Sequence, residues 1–402
     1  MRAWTTDDFP VGFEQLHPDV SINFQLNRLH NFCNDPVMLQ QLRDAAVRIR
    51  DFRTLIDELV PLAERAEEEG ELLRAAMYYR GAEFVAPVSD PRKGMWRRRF
   101  RELAISFYGI PDDAHSWVPF GDIELSAYRF APKGPSRGTV VMMNGFDGYL
   151  EEFMRLFLVF REVGYEVIAF DGPGQGAVLE TYRVPMTPEW ERPTSAILDH
   201  FGLDDVTVIG CSLGGGLAVR AAAFEPRISR VICFDILPDL FESLGQAAPE
   251  VVRMLLRTGV PLGLGRGVIN SVLRRAAAKD LLIAWGLQQG MLVMRADDPF
   301  DFIRATLQFQ TAPYSHRLSQ DVLLMAGATD HYVPIRQLRD QMATLTGVRS
   351  LTARVFTQEE SASNHCQLGN LGLALQTMLD WLARFEKPGV ARPDGRLTAR
   401  RS

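Results

Sequence analysis

Ser212 has the sequence surroundings of an enzyme nucleophile. Residues 210–214 read G-C-S-L-G, a G-x-S-x-G motif between the strand-like run 206–209 and a segment rich in small residues. Glycines around the serine permit a tight, strained turn that exposes the hydroxyl and directs the next backbone N–H into the same space. The string also arises by chance or as a packing turn, so its strand–turn–helix setting is what favours catalysis. We expect Ser212 to attack a carbonyl carbon.

A general base must accompany this serine, because a neutral hydroxyl is a weak nucleophile. Proteins that carry the motif in this setting place the nucleophile first, then the acid, then the histidine. Of the seven histidines, His316, His331 and His365 follow the serine. His316 precedes the last strand pair and His331 adjoins an acid candidate, whereas His365 comes after the strand-like run 351–356. We predict His365 as the base, against the alternative of an ordinary loop histidine.

Two aspartates could orient this histidine. Asp330 lies in a turn after the apolar run 322–326, and Asp235 ends the run 230–234. A carboxylate at the carboxyl end of a strand can fix the imidazole tautomer and stabilise its charged form. The order of nucleophile, acid and base favours Asp330, and Asp235 stays a possible additional or alternative acid.

Carbonyl chemistry also needs hydrogen-bond donors for the oxyanion that develops. The backbone N–H of Leu213, directly after the nucleophile, is one candidate. The loop 144–148, N-G-F-D-G, follows the strand-like run 139–143. We select the N–H of Phe146 in this loop as the second donor.

Strand-like runs that alternate with helical segments must position these residues. A hairpin over 117–130 comes first, and the alternation then continues to the terminal helix, which predicts an α/β fold with a mainly parallel sheet. Residues 237–310 interrupt the alternation with helical sequence. We interpret them as a lid over the carboxyl edge of the sheet.

The chain of 402 residues divides into three parts. Residues 1–110 form an N-terminal helical region, because apolar residues recur at three- and four-residue spacing over 35–107. Residues 111–386 form one α/β core that includes the lid. Residues 387–402 are polar and contain Pro and Gly, so we expect a flexible tail.

The net charge of −6 argues against a nucleic-acid partner, because phosphate recognition requires a positive field. The basic stretch 92–101 is the local exception. We interpret it as the solvated face of a helix whose apolar side is formed by Met95, Trp96, Phe100, Leu103 and Ala104.

We expect no metal site from the cysteines. Cys33, Cys211, Cys233 and Cys366 are scattered without C-x-x-C spacing, which predicts neither a zinc site nor a disulfide framework and fits a reducing compartment. Cys211 is a competing nucleophile by its chemistry. Because it occupies the variable position of the motif, we interpret it as a small buried hydrophobe.

No cofactor or membrane partner is expected either. Residues 170–176, F-D-G-P-G-Q-G, depart from the dinucleotide spacing and are not followed by a P-loop lysine. The N-terminus lacks the apolar region of a signal peptide, and no apolar run approaches the roughly 20 residues that span a bilayer. We therefore expect a cytoplasmic protein.

Residues 117–385 resemble the α/β-hydrolase superfamily. The resemblance rests on the stretches 144–148, 171–176, 210–214, 327–334 and 364–367. The added N-terminal helices resemble the branch that contains 2,6-dihydroxypseudooxynicotine hydrolase, the fungal heptaketide-shortening hydrolases and the fermentation-respiration switch esterases. This resemblance implies a triad of Ser212, Asp330 and His365, a helical cap over the site, and cleavage of esters or of carbon–carbon bonds beside a ketone.

The leading hypothesis is therefore a hydrolase that forms an acyl-enzyme on Ser212 and acts on a small organic molecule. An acyltransferase, cyclase or lyase could use the same pocket, and a non-catalytic binding protein could retain the scaffold. Some carbon–carbon hydrolases use a further acid, for which Asp235, Asp239 and Glu242 are candidates. Helix-rich caps often form dimer interfaces, so a homodimer is possible.

Overall fold

Five helices precede the first strand in residues 2–386, the part of the chain that the computed structural model describes. They are α1 (Val20–Cys33), α2 (Pro36–Ala46), α3 (Phe52–Glu68), α4 (Leu72–Val85) and α5 (Lys93–Tyr108). The helical pattern over 35–107 did not predict α1. Asn23, Asn27 and Asn31 of that helix are buried along with its apolar residues, so no one-sided apolar stripe marks it. The tail predicted for 387–402 lies outside the described residues.

An eight-stranded sheet follows within residues 2–386. Its strands are β1 (His115–Phe120), β2 (Ile123–Phe130), β3 (Thr139–Met143), β4 (Glu166–Asp171), β5 (Val206–Cys211), β6 (Ile228–Phe234), β7 (Asp321–Gly327) and β8 (Ser350–Phe356). They lie in the order β1-β2-β4-β3-β5-β6-β7-β8. β2 is antiparallel to both neighbours, and the remaining pairs are parallel. The predicted α/β fold with a mainly parallel sheet is confirmed.

Helices cover both faces of this sheet. They are α6 (Met154–Val163), α7 (Gly176–Tyr182), α8 (Glu191–Phe201), α9 (Leu213–Ala222), α15 (Arg336–Thr344) and α16 (Leu371–Leu382). The insertion between β6 and β7 contains five further helices, which are α10 (Leu240–Leu244), α11 (Glu250–Gly259), α12 (Arg266–Ala277), α13 (Leu281–Val293) and α14 (Pro299–Thr306). In β3, Val140 and Met142 join the core against α6 and α16, whereas Val141 and Met143 join the core against α8 and α9. This alternation follows from the two-residue period of a strand.

The described residues include no helix with the length and apolar character that crossing a membrane requires.

The basic stretch 92–101 is a solvated helix face only in part. Trp96, Phe100, Leu103 and Ala104 are buried and Arg92 and Arg98 are exposed as expected, but Met95 is 43% exposed and does not belong to the apolar side. Two of its arginines turn inward from α5 to carboxylates on other elements. Arg101 Nε lies 2.8 Å from Glu151 Oε1, and Arg97 Nη2 lies 2.7 Å from Glu83 Oε1. These acidic partners come from elsewhere in the chain, so the local sequence does not reveal the direction of the side chains.

These pairs belong to an ion cluster that joins the N-terminal helices to the segments after β3 and β4. Every member pairs with an opposite charge in the cluster, and no side chain in it is more than 25% exposed. The cluster contains the basic residues Arg28, Arg80, Lys93, Arg97 and Arg101 and the acidic residues Glu83, Asp147, Glu151, Glu152 and Glu180.

Glu152 connects two of the arginines. Arg28 Nε lies 2.5 Å from its Oε1, and Arg80 Nε lies 2.9 Å from its Oε2. Burial raises the pKa of Glu152, but the two guanidinium charges lower this pKa by more, so the net pKa lies below the ordinary value. The carboxylate is therefore charged at neutral pH, and it ties α1 and α4 to the segment that follows the loop 144–148.

Replacing Glu152 by Gln should lower the free energy of unfolding by about 3–5 kcal/mol, because two buried guanidinium groups lose their shared counter-charge. Urea denaturation followed by circular dichroism measures this loss. Glu58→Gln is the matched control, since Glu58 forms a two-pronged pair with Arg48, whose side chain is 58% exposed. An exposed pair contributes at most about 1 kcal/mol. Equal losses in the two variants would contradict the role given to Glu152.

Candidate active site

Ser212 stands at a sharp turn between β5 and α9. Its backbone has φ 60° and ψ −124°, a region that residues other than glycine rarely occupy. A Cβ atom on Gly210 would lie 1.9 Å from the carbonyl oxygen of Gly214, and one on Gly214 would lie 2.7 Å from that of Asn144. Both positions therefore require glycine, which accounts for the spacing of the motif.

Hydrogen bonds join Ser212, His365 and Asp330. His365 Nε2 lies 2.8 Å from Ser212 Oγ, and His365 Nδ1 lies 2.6 Å from Asp330 Oδ2. A carboxylate only accepts hydrogen bonds, so Nδ1 carries a proton, and in the neutral form of the ring Nε2 accepts from the serine hydroxyl. This arrangement can remove the proton from Ser212 and hold it on His365.

Asp330 is held as a charged carboxylate. Its Oδ1 accepts the backbone N–H groups of Tyr332 at 2.7 Å and Val333 at 3.0 Å. Burial raises the pKa of Asp330, but the charge and hydrogen bond of His365 and the Val333 N–H lower this pKa by more. The net pKa lies below the ordinary aspartate value.

Asp235 lies beside the same histidine but farther from it. Its Oδ2 is 4.0 Å from His365 Nδ1, and the residue is fully buried. Its oxygens accept N–H groups at 2.9–3.3 Å, among them the backbone N–H of Cys366. Burial, followed by the charge of Asp330, raises the pKa of Asp235 well above the ordinary value. Asp330 is therefore the stronger acid of the pair, and Asp235 holds a proton more readily.

The two histidines near Asp330, His365 and His331, have pKa values that are shifted in opposite directions. Burial lowers the pKa of His365, but the charge of Asp330, followed by Cys366, outweighs burial and raises this pKa well above its ordinary value. Burial lowers the pKa of His331 to about 4. The His331 ring packs against that of Tyr332, with centroids 4.0 Å apart. His331 is therefore a neutral packing residue at neutral pH.

Asp235, Asp330 and His365 also form a cluster of possible metal ligands. They are a group found among residues 2–386 whose possible ligand atoms all lie within 4.8 Å of one another. The His365 Nδ1 and Asp330 Oδ2 atoms of this cluster already share the 2.6 Å hydrogen bond. A metal ion would therefore compete with the proton relay for the same atoms.

The loop 144–148 passes beside the amide that follows the nucleophile. A Cβ atom on Gly145 would lie 3.1 Å from the Leu213 backbone nitrogen and 3.0 Å from the Cβ of Ser212. Phe146 is the next residue, and its carbonyl accepts Gln289 Nε2 of α13 at 3.4 Å. The loop that carries the Phe146 N–H is thus adjacent to Leu213, whose N–H is the other expected oxyanion donor.

Two polar side chains fix this loop. Gln175 Nε2 donates to the carbonyl oxygens of Asn144 at 2.6 Å and Gly145 at 2.9 Å. Arg80 Nη2 donates to the carbonyl oxygen of Asp147 at 2.7 Å. Sequence reasoning missed both contacts, because neither side chain belongs to a motif that marks a loop anchor.

Aromatic rings surround the histidine and the loop. The centroid of Tyr332 lies 5.1 Å from that of His365, and Phe24 of α1 lies 5.5 Å from Tyr332. Trp285 of α13 lies 6.4 Å from both Tyr332 and Phe146. No pattern in the sequence indicated that α1 and α13 would each contribute a ring to this site.

The fold has clear counterparts among known proteins. Residues 138–368 match the family described as the alpha/beta hydrolase fold. The hydrolyase poxO of Penicillium oxalicum is 24% identical over 365 residues, which is 82% of this chain and 85% of that protein. The 20-hydroxy-prefusarin hydrolase of Gibberella moniliformis is 27% identical over 378 residues, which is 83% of this chain and 86% of that protein.

The crystal structure of 2,6-dihydroxy-pseudo-oxynicotine hydrolase has the same fold, with a TM-score of 0.61 and 21% identity. The superposition covers 91% of this chain and 98% of that protein. The family match extends over more than half of the chain, and the relatives reported above are named as hydrolases. The chain therefore belongs to the alpha/beta-hydrolase family and is a hydrolase.

Proposed function

We propose that this hydrolase cleaves the bond beside a carbonyl group by forming an acyl-enzyme on Ser212. The hydrogen-bonded series from Ser212 through His365 to Asp330 is the observation that carries the proposal. A base within 2.8 Å of the hydroxyl and a charged carboxylate behind that base are the two conditions for activating a serine.

The reaction has two halves. Ser212 Oγ attacks the carbonyl carbon while His365 Nε2 takes the hydroxyl proton, and the N–H groups of Leu213 and Phe146 stabilise the oxyanion. Collapse of this intermediate expels the leaving group, which takes the proton from His365 and leaves an acyl group on the serine. Water then attacks the acyl carbon with His365 as base, which releases the carboxylic acid and restores Ser212.

The substrate class follows from the rings around the site. Phe24, Tyr332, Phe146 and Trp285 suit a flat aromatic or conjugated molecule, which aromatic side chains bind by stacking and edge contacts. The N-terminal helices and the lid supply Phe24 and Trp285 respectively, and they act as the cap over the site. An ester or a carbon–carbon bond beside a ketone fits, since His365 can protonate an alkoxide or an enolate carbon.

Ser212→Ala should reduce kcat/KM by about 10⁴-fold or more, because the covalent step is lost. A fluorophosphonate probe should label the wild-type protein at Ser212, as located by peptide mass spectrometry. Ser363→Ala is the matched control, since Ser363 lies two residues before His365 and its hydroxyl contacts Thr329 Oγ1 at 2.8 Å. The control should keep the label, and labelling at another residue would remove Ser212 from the nucleophile role.

An alkyl ester of an aromatic carboxylic acid and a 1-aryl-1,3-diketone with the same aryl group separate the two bond types. Hydrolysis in ¹⁸O-water should place one heavy oxygen in the aryl acid in either case. Faster turnover of the diketone assigns carbon–carbon cleavage, and faster turnover of the ester assigns esterase activity. Transfer of the acyl group to an added alcohol in preference to water would contradict the hydrolytic proposal.

Asp330→Asn should lower kcat by about 10⁴-fold and shift the acidic limb of the rate profile to lower pH. His365 acts as a base only when neutral, and the charge of Asp330 raises its pKa. Removing that charge lowers the pKa of His365, so the neutral form persists to lower pH. Plots of kcat/KM against pH measure the shift.

Asp235→Asn is the comparison that separates the two aspartates. Its carboxyl group lies 4.0 Å from His365 Nδ1 and holds a proton more readily than that of Asp330, so an amide of the same shape should leave the acidic limb in place and reduce the rate less than about tenfold. A larger loss in this variant than in Asp330→Asn would transfer the role of the acid to Asp235.

A further inference from the structure

Two cysteines that are 155 positions apart in the chain meet beside the triad. Cys211 directly precedes Ser212, and Cys366 directly follows His365. Their Sγ atoms lie 3.5 Å apart. The absence of C-x-x-C spacing concealed this pair, because the fold and not the local sequence brings the thiols together.

Strand pairing explains the meeting. Cys211 ends β5 opposite Phe234 of β6, and Cys366 lies over the end of the same strand. The Cys366 thiol faces the Phe234 carbonyl oxygen at 3.8 Å, and its backbone N–H donates to Asp235 Oδ2 at 3.3 Å. Each cysteine is therefore fixed by the backbone elements that also position Ser212 and His365.

Exposure distinguishes this pair from the other two cysteines. Cys211 and Cys366 are only partly buried, whereas Cys33 and Cys233 are buried. A small oxidant therefore reaches this pair more readily than Cys33 or Cys233.

We propose that Cys211 and Cys366 are a modification site that a peroxide-class oxidant converts to a disulfide, which reversibly switches off the hydrolase. One thiol sulfur attacks the peroxide O–O bond, giving a sulfenic acid and water. The second thiol then displaces hydroxide from that sulfur, which forms the S–S bond and a second water. Two thiols lose two electrons and two protons in total, and the peroxide accepts both.

Bond formation displaces the catalytic groups. A disulfide holds its sulfur atoms about 2.05 Å apart, so the 3.5 Å separation must shorten considerably. The segments that must move carry Cys211 with Ser212 and Cys366 with His365. The hydrogen bond between His365 Nε2 and Ser212 Oγ, which is 2.8 Å long, joins these two segments. Misplacement by about 1 Å at a reacting centre can cost about 100-fold in rate. The effect on rate rests on the proposed function, whereas formation of the disulfide does not.

The test treats the full chain with hydrogen peroxide or with diamide, an oxidant that forms disulfides. Expected results are a mass decrease of two hydrogen atoms, a cross-linked pair of peptides containing Cys211 and Cys366, and a rate that falls at least about tenfold. Dithiothreitol should restore both the mass and the rate. Mass spectrometry needs no substrate, and fluorophosphonate labelling of the reduced protein tests Ser212 separately.

Three variants complete the experiment, each compared with its own untreated rate. Cys211→Ala and Cys366→Ser should each lose the diamide-dependent inhibition, and Cys33→Ala should respond as the wild type does. No cross-link between residues 211 and 366 would overturn the modification site. A mapped cross-link without a change in rate, or inhibition that persists in both variants, would overturn the switch.

Discussion

Backbone groups from three segments of the chain meet around Ser212 at distances where an ordinary side chain does not fit. A Cβ atom on Gly215 would lie 2.3 Å from the carbonyl oxygen of Asp235, just as one on Gly214 would meet the carbonyl of Asn144. The unusual backbone angles of Ser212 persist because this packing holds them. The end of β5, the end of β6 and the loop 144–148 therefore occupy fixed relative positions, and every group of the site inherits its place from them.

Local charge then decides what each buried acid can do. Asp330 and Asp235 have the same side chain and lie beside the same imidazole, but Asp330 has the shorter contact, at 2.6 Å against 4.0 Å. The pKa of Asp330 lies below the ordinary aspartate value, and that of Asp235 lies well above it. Glu152, equally buried, remains ionised because two guanidinium groups contact it. Burial alone does not determine the state of an acid, since the nearest cation outweighs it.

The sequence predicted the elements that follow local rules and missed the ones that depend on distant partners. The G-x-S-x-G turn and the strand runs could be located because glycine geometry and period-two alternation act over a few residues. Ser212, Asp330 and His365 were candidates by their order in the chain, and their side chains lie within hydrogen-bond distance in the fold. Helix α1 escaped because both its polar and its apolar faces are buried. The sequence also did not predict that arginines of α5 turn inward or that Cys211 meets Cys366, because the partners of these side chains lie far away in the chain.

The ion cluster also constrains how this protein can have diverged. Its cations lie on α1, α4 and α5, while Asp147, Glu151 and Glu152 belong to the segment after β3. A descendant that discarded the N-terminal helices would leave these three acids without counter-charges at a surface built to be covered. Loss of the helices and replacement of the acids must therefore occur together. The ten members of the cluster include none from the helical insertion 237–310, so this insertion can change its length and side chains without this electrostatic penalty.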